Sequence, residues 1–216
     1  MTSLLLFFIS VMVMLSFLML MQTRIINLIK LLIVQNIVLT SYLICKAWIY
    51  PSLELQLTLS ITFIIKVILL PLALWKLVNY LKLTQHNEPM INRPTLQFVG
   101  ILLVIFTLLL SHQIEKTIGQ EDIVGFSLSL ANSMLALLLI TFRKKSISQI
   151  IGLLVMENSI FLLSATLNIG FPWLVELGMG FDILIGFMIF ALFLLRIRST
   201  HGSFHVKNLE RLKERL

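Results

Sequence analysis

A single cysteine, Cys45, excludes an internal disulfide, a paired-thiol redox motif and a cysteine-ligated cluster. Charge is nearly as scarce. Only 12% of the 216 residues are charged, against about 25% in an ordinary soluble domain. That leaves too little polar surface to clothe a water-soluble globule. The sequence also lacks a phosphate-binding loop, a nucleophile motif and metal-ligand spacing, and it has no intramembrane histidine pair to hold haem. No cofactor is expected, and the chain has no equipment for redox or hydrolytic chemistry of its own.

What remains is apolar. Hydrophobic residues make up 58% of the chain and the mean hydropathy is +1.00, so the solvent must be lipid. The net charge of +7 does not point to nucleic acid, because the basic residues fall in the connections between apolar runs. Met1 to Met21 has no basic residue ahead of its apolar stretch and no small-residue cleavage site. It reads as a retained first span rather than a signal peptide.

A hydrocarbon core of about 30 Å needs roughly 20 helical residues. On that scale the sequence predicts an all-α polytopic membrane protein with seven transmembrane helices. They run Ser3 to Met21, Ile25 to Tyr50, Leu53 to Leu77, Leu96 to Ser111, Ile123 to Phe142, Ile147 to Asn168 and Pro172 to Ile197. The fourth is short unless it recruits residues from Pro94 onward. Residues 1–120 form a four-helix region, 121–198 a three-helix unit, and 199–216 an amphipathic tail with Val206, Leu209, Leu212 and Leu216 at helical spacing. Thr84 to Pro94 and His112 to Asp122 read as loops. Gly170 to Trp173 reads as a tight turn with Trp173 at the interface.

Basic residues divide unevenly between the two faces. Arg24, Lys76, Lys82, Arg93, Arg143, Lys144 and Lys145 fall on one side, with Arg196, Arg198, Lys207, Arg211, Lys213 and Arg215. Lys46 and Lys116 fall on the other. This asymmetry predicts an external N-terminus and a cytoplasmic C-terminus. Lys30 lies near enough to a span end to snorkel out.

Three ionisable residues do not fit a topology signal: Lys66, Glu157 and Asp182 lie near the middle of predicted spans. A charge at mid-bilayer costs about 2.5–3.5 kcal/mol on insertion scales. Glu157 sits about 11 residues from the cytoplasmic end of its span, close to the midplane at about 1.5 Å per residue. Gly178, Asp182 and Gly186 recur every four residues, so small residues bracket that acid on one helix face, where a neighbouring helix can approach. Pro71 follows Lys66 by five residues, removes one backbone donor and invites a kink. Two roles are open for these groups. They form a proton relay, or they form fixed structural ion pairs, with Lys66 neutralising an acid of a neighbouring subunit. Glu176 reads as an interfacial acid, and Asn132 and Ser133 as packing groups able to hydrogen-bond across helices.

Phe142-Arg143-Lys144-Lys145, the run Gly152 to Asn158, and Asp182-Ile183-Leu184-Ile185-Gly186 resemble the small K-type subunit of respiratory complex I. That subunit carries two buried acids, matched here by Glu157 and Asp182, the second one methylene shorter. Over the full length, Ile65-Lys66-Val67 followed by Pro71, Met156-Glu157-Asn158 and Val175-Glu176-Leu177-Gly178 resemble component E of hydrogenase-4 and formate hydrogenlyase complexes. The resemblance implies a non-catalytic membrane-arm subunit in the inner membrane of a prokaryote. Its expected partners are an antiporter-like subunit and the membrane anchor of a hydrophilic module. The expected function is proton or sodium translocation coupled to redox chemistry elsewhere, with Glu157, Asp182 and Lys66 on the pathway. The rivals are a structural adaptor that docks such subunits without moving ions, and a stand-alone carrier, which the lack of inverted repeats disfavours.

Overall fold

The computed structural model describes residues 2–49, 51, 53–81, 91–118, 123–166 and 186, and among these every regular element is helical. The elements are α1 (Thr2–Met21), α2 (Ile25–Ile49), α3 (Leu53–Thr62), a π-helical segment (Phe63–Leu69), α4 (Leu70–Leu81), α5 (Arg93–Ile118), α6 (Ile123–Thr141) and α7 (Ser146–Thr166). Among the described residues, six stretches are long and apolar enough to cross a membrane. The seventh predicted span apart from Gly186, and with it Asp182 and Glu176, lies outside the described residues, as do the Gly170 to Trp173 turn and the tail beyond Ser199.

Three predicted boundaries need correction. The fourth span is not short: α5 runs 26 residues from Arg93 to Ile118. His112 to Ile118, expected in a loop, continue the helix, since hydropathy falls off there while helix-forming residues such as Gln113, Glu115 and Lys116 carry the backbone on. The third span extends to Leu81 and changes register in its middle. Pro71 does not break it. The ladder widens to π geometry just upstream, which moves the carbonyl that an α-helix would drive into the proline ring.

Packing divides the helices into a centre and a rim. Helix α6 lies against α7, α5 and α1, and α2 lies against α1, α7 and the π segment. The α6–α7 hairpin is closely fitted, since a Cβ on Gly152 would come within 2.7 Å of Ile140 Cγ1 and 3.1 Å of its backbone nitrogen. Glycine there lets the two backbones meet, which is how helices associate where lipid removes the hydrophobic drive. Helix α5 sits at the rim and leaves Phe98, Ile101, Ile105, Phe106 and Leu109 exposed, a normal surface for a lipid-facing helix.

Arg143 is more than a topology signal. It is fully buried at the α6–α7 turn and donates from Nη2 to the carbonyls of Met19, at 2.7 Å, and Leu20, at 3.1 Å. A cation at these last carbonyls of α1 meets acceptors that the helix itself cannot satisfy. Burial, and then the nearby positive charge of Arg93, pulls its guanidinium down to about 10, still charged at neutral pH. Lys46, assigned from the sequence to the external side, is buried in the last turn of α2 and donates to the carbonyl of Ala165 near the end of α7.

Candidate functional site

Two apolar clusters pack the centre, and along α2 and α7 they are separated by polar residues. On α2, Ile25 to Leu32 belong to one cluster and Leu39 to Leu43 to the other; on α7, Ile147 to Val155 and Phe161 to Leu162 divide the same way. Gln35 and Asn36 fill the gap on α2, while Glu157, Asn158 and Ser159 fill it on α7. Both sets lie near the middle of their spans. The result is a buried polar layer at mid-depth, crossing five of the packed segments.

The charged part of this layer joins two residues marked out by the sequence. Lys66 Nζ lies 3.2 Å from Glu157 Oε1, and the side chains are only 4% and 7% exposed. The ammonium also stands 5.1 Å from the centre of the Phe161 ring, on the same helix as the acid, where the aromatic face attracts a cation. Neither Lys66 Nζ nor Glu157 Oε1 makes a further hydrogen bond among the described residues. Lys66 therefore meets an acid of its own chain. Both groups are buried inside the protein.

The π segment explains why Lys66 can be held here. In this register the N–H of Leu70 bonds the carbonyl of Ile65, five residues back. The carbonyl of Lys66 would need the N–H of Leu70 in an α-ladder or that of residue 71 in a π-ladder. The first is taken and the second belongs to Pro71, which has none. Asn36 Nδ2 donates to that carbonyl at 2.5 Å. Asn158 Nδ2 in turn donates to Asn36 Oδ1 at 2.6 Å. The residue next to Glu157 is thus tied, through one amide, to the backbone of Lys66.

The neutral part of the layer leaves α2 toward α1. Gln35 Nε2 donates to Ser16 Oγ at 3.1 Å, and Ser16 Oγ donates to Asn132 Oδ1. Asn132 Nδ2 donates to Ser159 Oγ at 2.8 Å, and Ser159 Oγ donates to the carbonyl of Val155 at 2.7 Å. Asn132, read from the sequence as a packing group, is the hub that joins α1, α6 and α7. Ser133, read alongside it, bonds back into its own helix, to the carbonyl of Leu130.

Sequence reasoning overlooked Gln35, Asn36 and Ser16. The signal was available: Gln35-Asn36 is a pair of adjacent amides in the middle of a 25-residue helix. Such a pair cannot face lipid on both sides without cost, so at least one must find partners.

The fold and the site define a polytopic helical membrane protein with an opposed lysine and glutamate buried at mid-depth. The chain is distantly related to hydrogenase-4 component E. It is 25% identical to that protein from Escherichia coli over 179 residues, covering 83% of each chain, and equally similar to its counterpart from Shigella flexneri. No family model and no solved structure matches the chain.

Proposed function

We propose that this chain is a non-catalytic membrane subunit of a hydrogenase-type complex, and that Lys66, Glu157 and Asp182 carry ions across the membrane when redox chemistry runs in other subunits. Support for the assembly comes from the similarity to hydrogenase-4 component E over most of both chains. Support for ion movement comes from one observation above all, the buried contact between Lys66 and Glu157. An amine and a carboxyl group in contact can exchange one proton, which gives either an ion pair or two neutral groups. Away from water these two states lie closer in energy than they would in solution. Asp182 is the proposed second acid, in the seventh span expected from the sequence. The N-terminus lies outside and the C-terminus in the cytoplasm of a prokaryotic inner membrane. The neighbours are an antiporter-like subunit and the anchor of a hydrophilic module.

The test places Glu157→Gln and Asp182→Asn separately in the assembled, redox-active complex within sealed vesicles. Each is expected to preserve assembly and to abolish proton or sodium uptake. Undiminished uptake in both would overturn the reading. Loss of assembly in both, with no uptake defect in whatever complex remains, would favour an adaptor whose buried charges serve only docking.

A further inference from the structure

We propose that Asn36 is a positioning residue that substitutes for the backbone donor missing at Pro71 and thereby holds the π-helical register that presents Lys66 to Glu157. Three observations converge on it. The N–H of Leu70 is committed to Ile65, so it cannot serve the carbonyl of Lys66. The next donor along the chain is absent because residue 71 is proline. The side chain of Asn36, itself buried, fills that place from the neighbouring helix at 2.5 Å.

The consequence is geometric. A π-turn is wider than an α-turn and persists only where its surroundings hold it. Removing the amide leaves the Lys66 carbonyl buried and without that partner. The segment is then free to rewind, and rewinding turns the lysine away from α7. Asn158 extends the same control, because its amide fixes Asn36 from the position adjacent to Glu157. One side chain therefore ties the backbone behind the cation to the helix that carries the acid. The charges themselves take no part in this linkage.

The proposal rests on the ion-carrying role only for what it predicts about uptake; its structural half stands alone. The experiment compares Asn36→Leu in two backgrounds, the natural chain and Pro71→Ala, using the full chain in its assembled membrane complex. In the natural background the melting temperature is expected to fall by about 5 °C, and a structure of the variant is expected to show Lys66 and Glu157 out of contact. In the Pro71→Ala background residue 71 regains its N–H, the ladder can be completed, and most of the melting-temperature loss is expected to vanish. An equal loss in both backgrounds would overturn the proposal, since Asn36 would then act by packing alone. If Asn36→Leu fails to assemble, recovery of assembly in the double variant supports the proposal. Failure in both backgrounds, with Asn36→Ser indifferent to Pro71→Ala as well, overturns it. Ion uptake is read on the same preparations. Should Glu157→Gln leave uptake intact, the ion-carrying role falls, and the coupling between Asn36 and Pro71 still decides this inference.

Discussion

Gln35 and Asn36 are neighbours in sequence, yet they serve different neighbours of α2 and two different kinds of polar chemistry. Gln35 enters a neutral chain of hydroxyls and amides that runs through Ser16 and Asn132 to Ser159. Asn36 supports the charged pair from behind, through the carbonyl of Lys66. The neutral chain is made of groups that lose little when one link fails, because most of its members have a second partner. The charged pair has no such reserve. Each ion is the other's only counter-charge among the described residues, so removing one leaves the other buried and unpaired. One polar layer thus contains a region suited to holding helices together and a region suited to switching.

The largest expected effect is on the charged side. Lys66→Met leaves the Glu157 carboxylate unpaired and is expected to cost about 3–5 kcal/mol of stability, read as loss of folded, assembled chain on heating or in denaturant. Lys66→Met combined with Glu157→Leu is expected to recover most of that loss, because an apolar pair fills the same space without stranded charge. If the double variant is as unstable as the single one, the asymmetry drawn between the two regions is wrong.

An intermediate effect falls on the seam that the neutral chain crosses. Gly152→Ala would press a methyl group onto Ile140 at 2.7 Å and onto its backbone nitrogen at 3.1 Å. The expected cost is about 1–3 kcal/mol from forcing α6 and α7 apart, measured as a lowered melting temperature of the complex. The contact between Lys66 and Glu157 bridges a different pair of elements. Ion uptake per assembled complex is therefore expected to persist, and its loss would show that the two regions are coupled.

The smallest effect belongs to the hub of the neutral chain. Asn132→Leu removes its links to Ser16 and Ser159. Interhelical hydrogen bonds of this kind average about 0.6 kcal/mol and reach about 1.7 kcal/mol in membranes. A loss in that range with unchanged uptake would sharpen the contrast. A loss comparable to that of Lys66→Met would erase it.

How far the sequence foretold these features depends on whether each is local or tertiary. Apolar runs bounded by polar residues marked α1, α2, α6 and α7 to within about two residues, because lipid demands a continuous helix over each run. The depth of Lys66 and Glu157 was readable for the same reason. Their partnership was not, since no spacing rule links positions on separate helices, and a neighbouring subunit's acid was an equal expectation. Pro71 announced a disturbance in the third span. Its form, a widened ladder, depends on Asn36 being at hand to receive the stranded carbonyl. The length of α5 was hidden by the polar residues of its last turns, which hydropathy scores as loop. Arg143 shows a second role that charge counting does not reveal: a basic residue beside an apolar run, read as an orientation signal, is also buried on the end of α1.

The most direct test measures ion uptake by sealed vesicles containing the complex with both Lys66→Met and Glu157→Leu. That variant is expected to keep its fold without its charges, so redox turnover and assembly are expected to survive while proton and sodium uptake disappear. Full uptake from a complex that has lost both groups would contradict the assignment of this pair to the ion pathway.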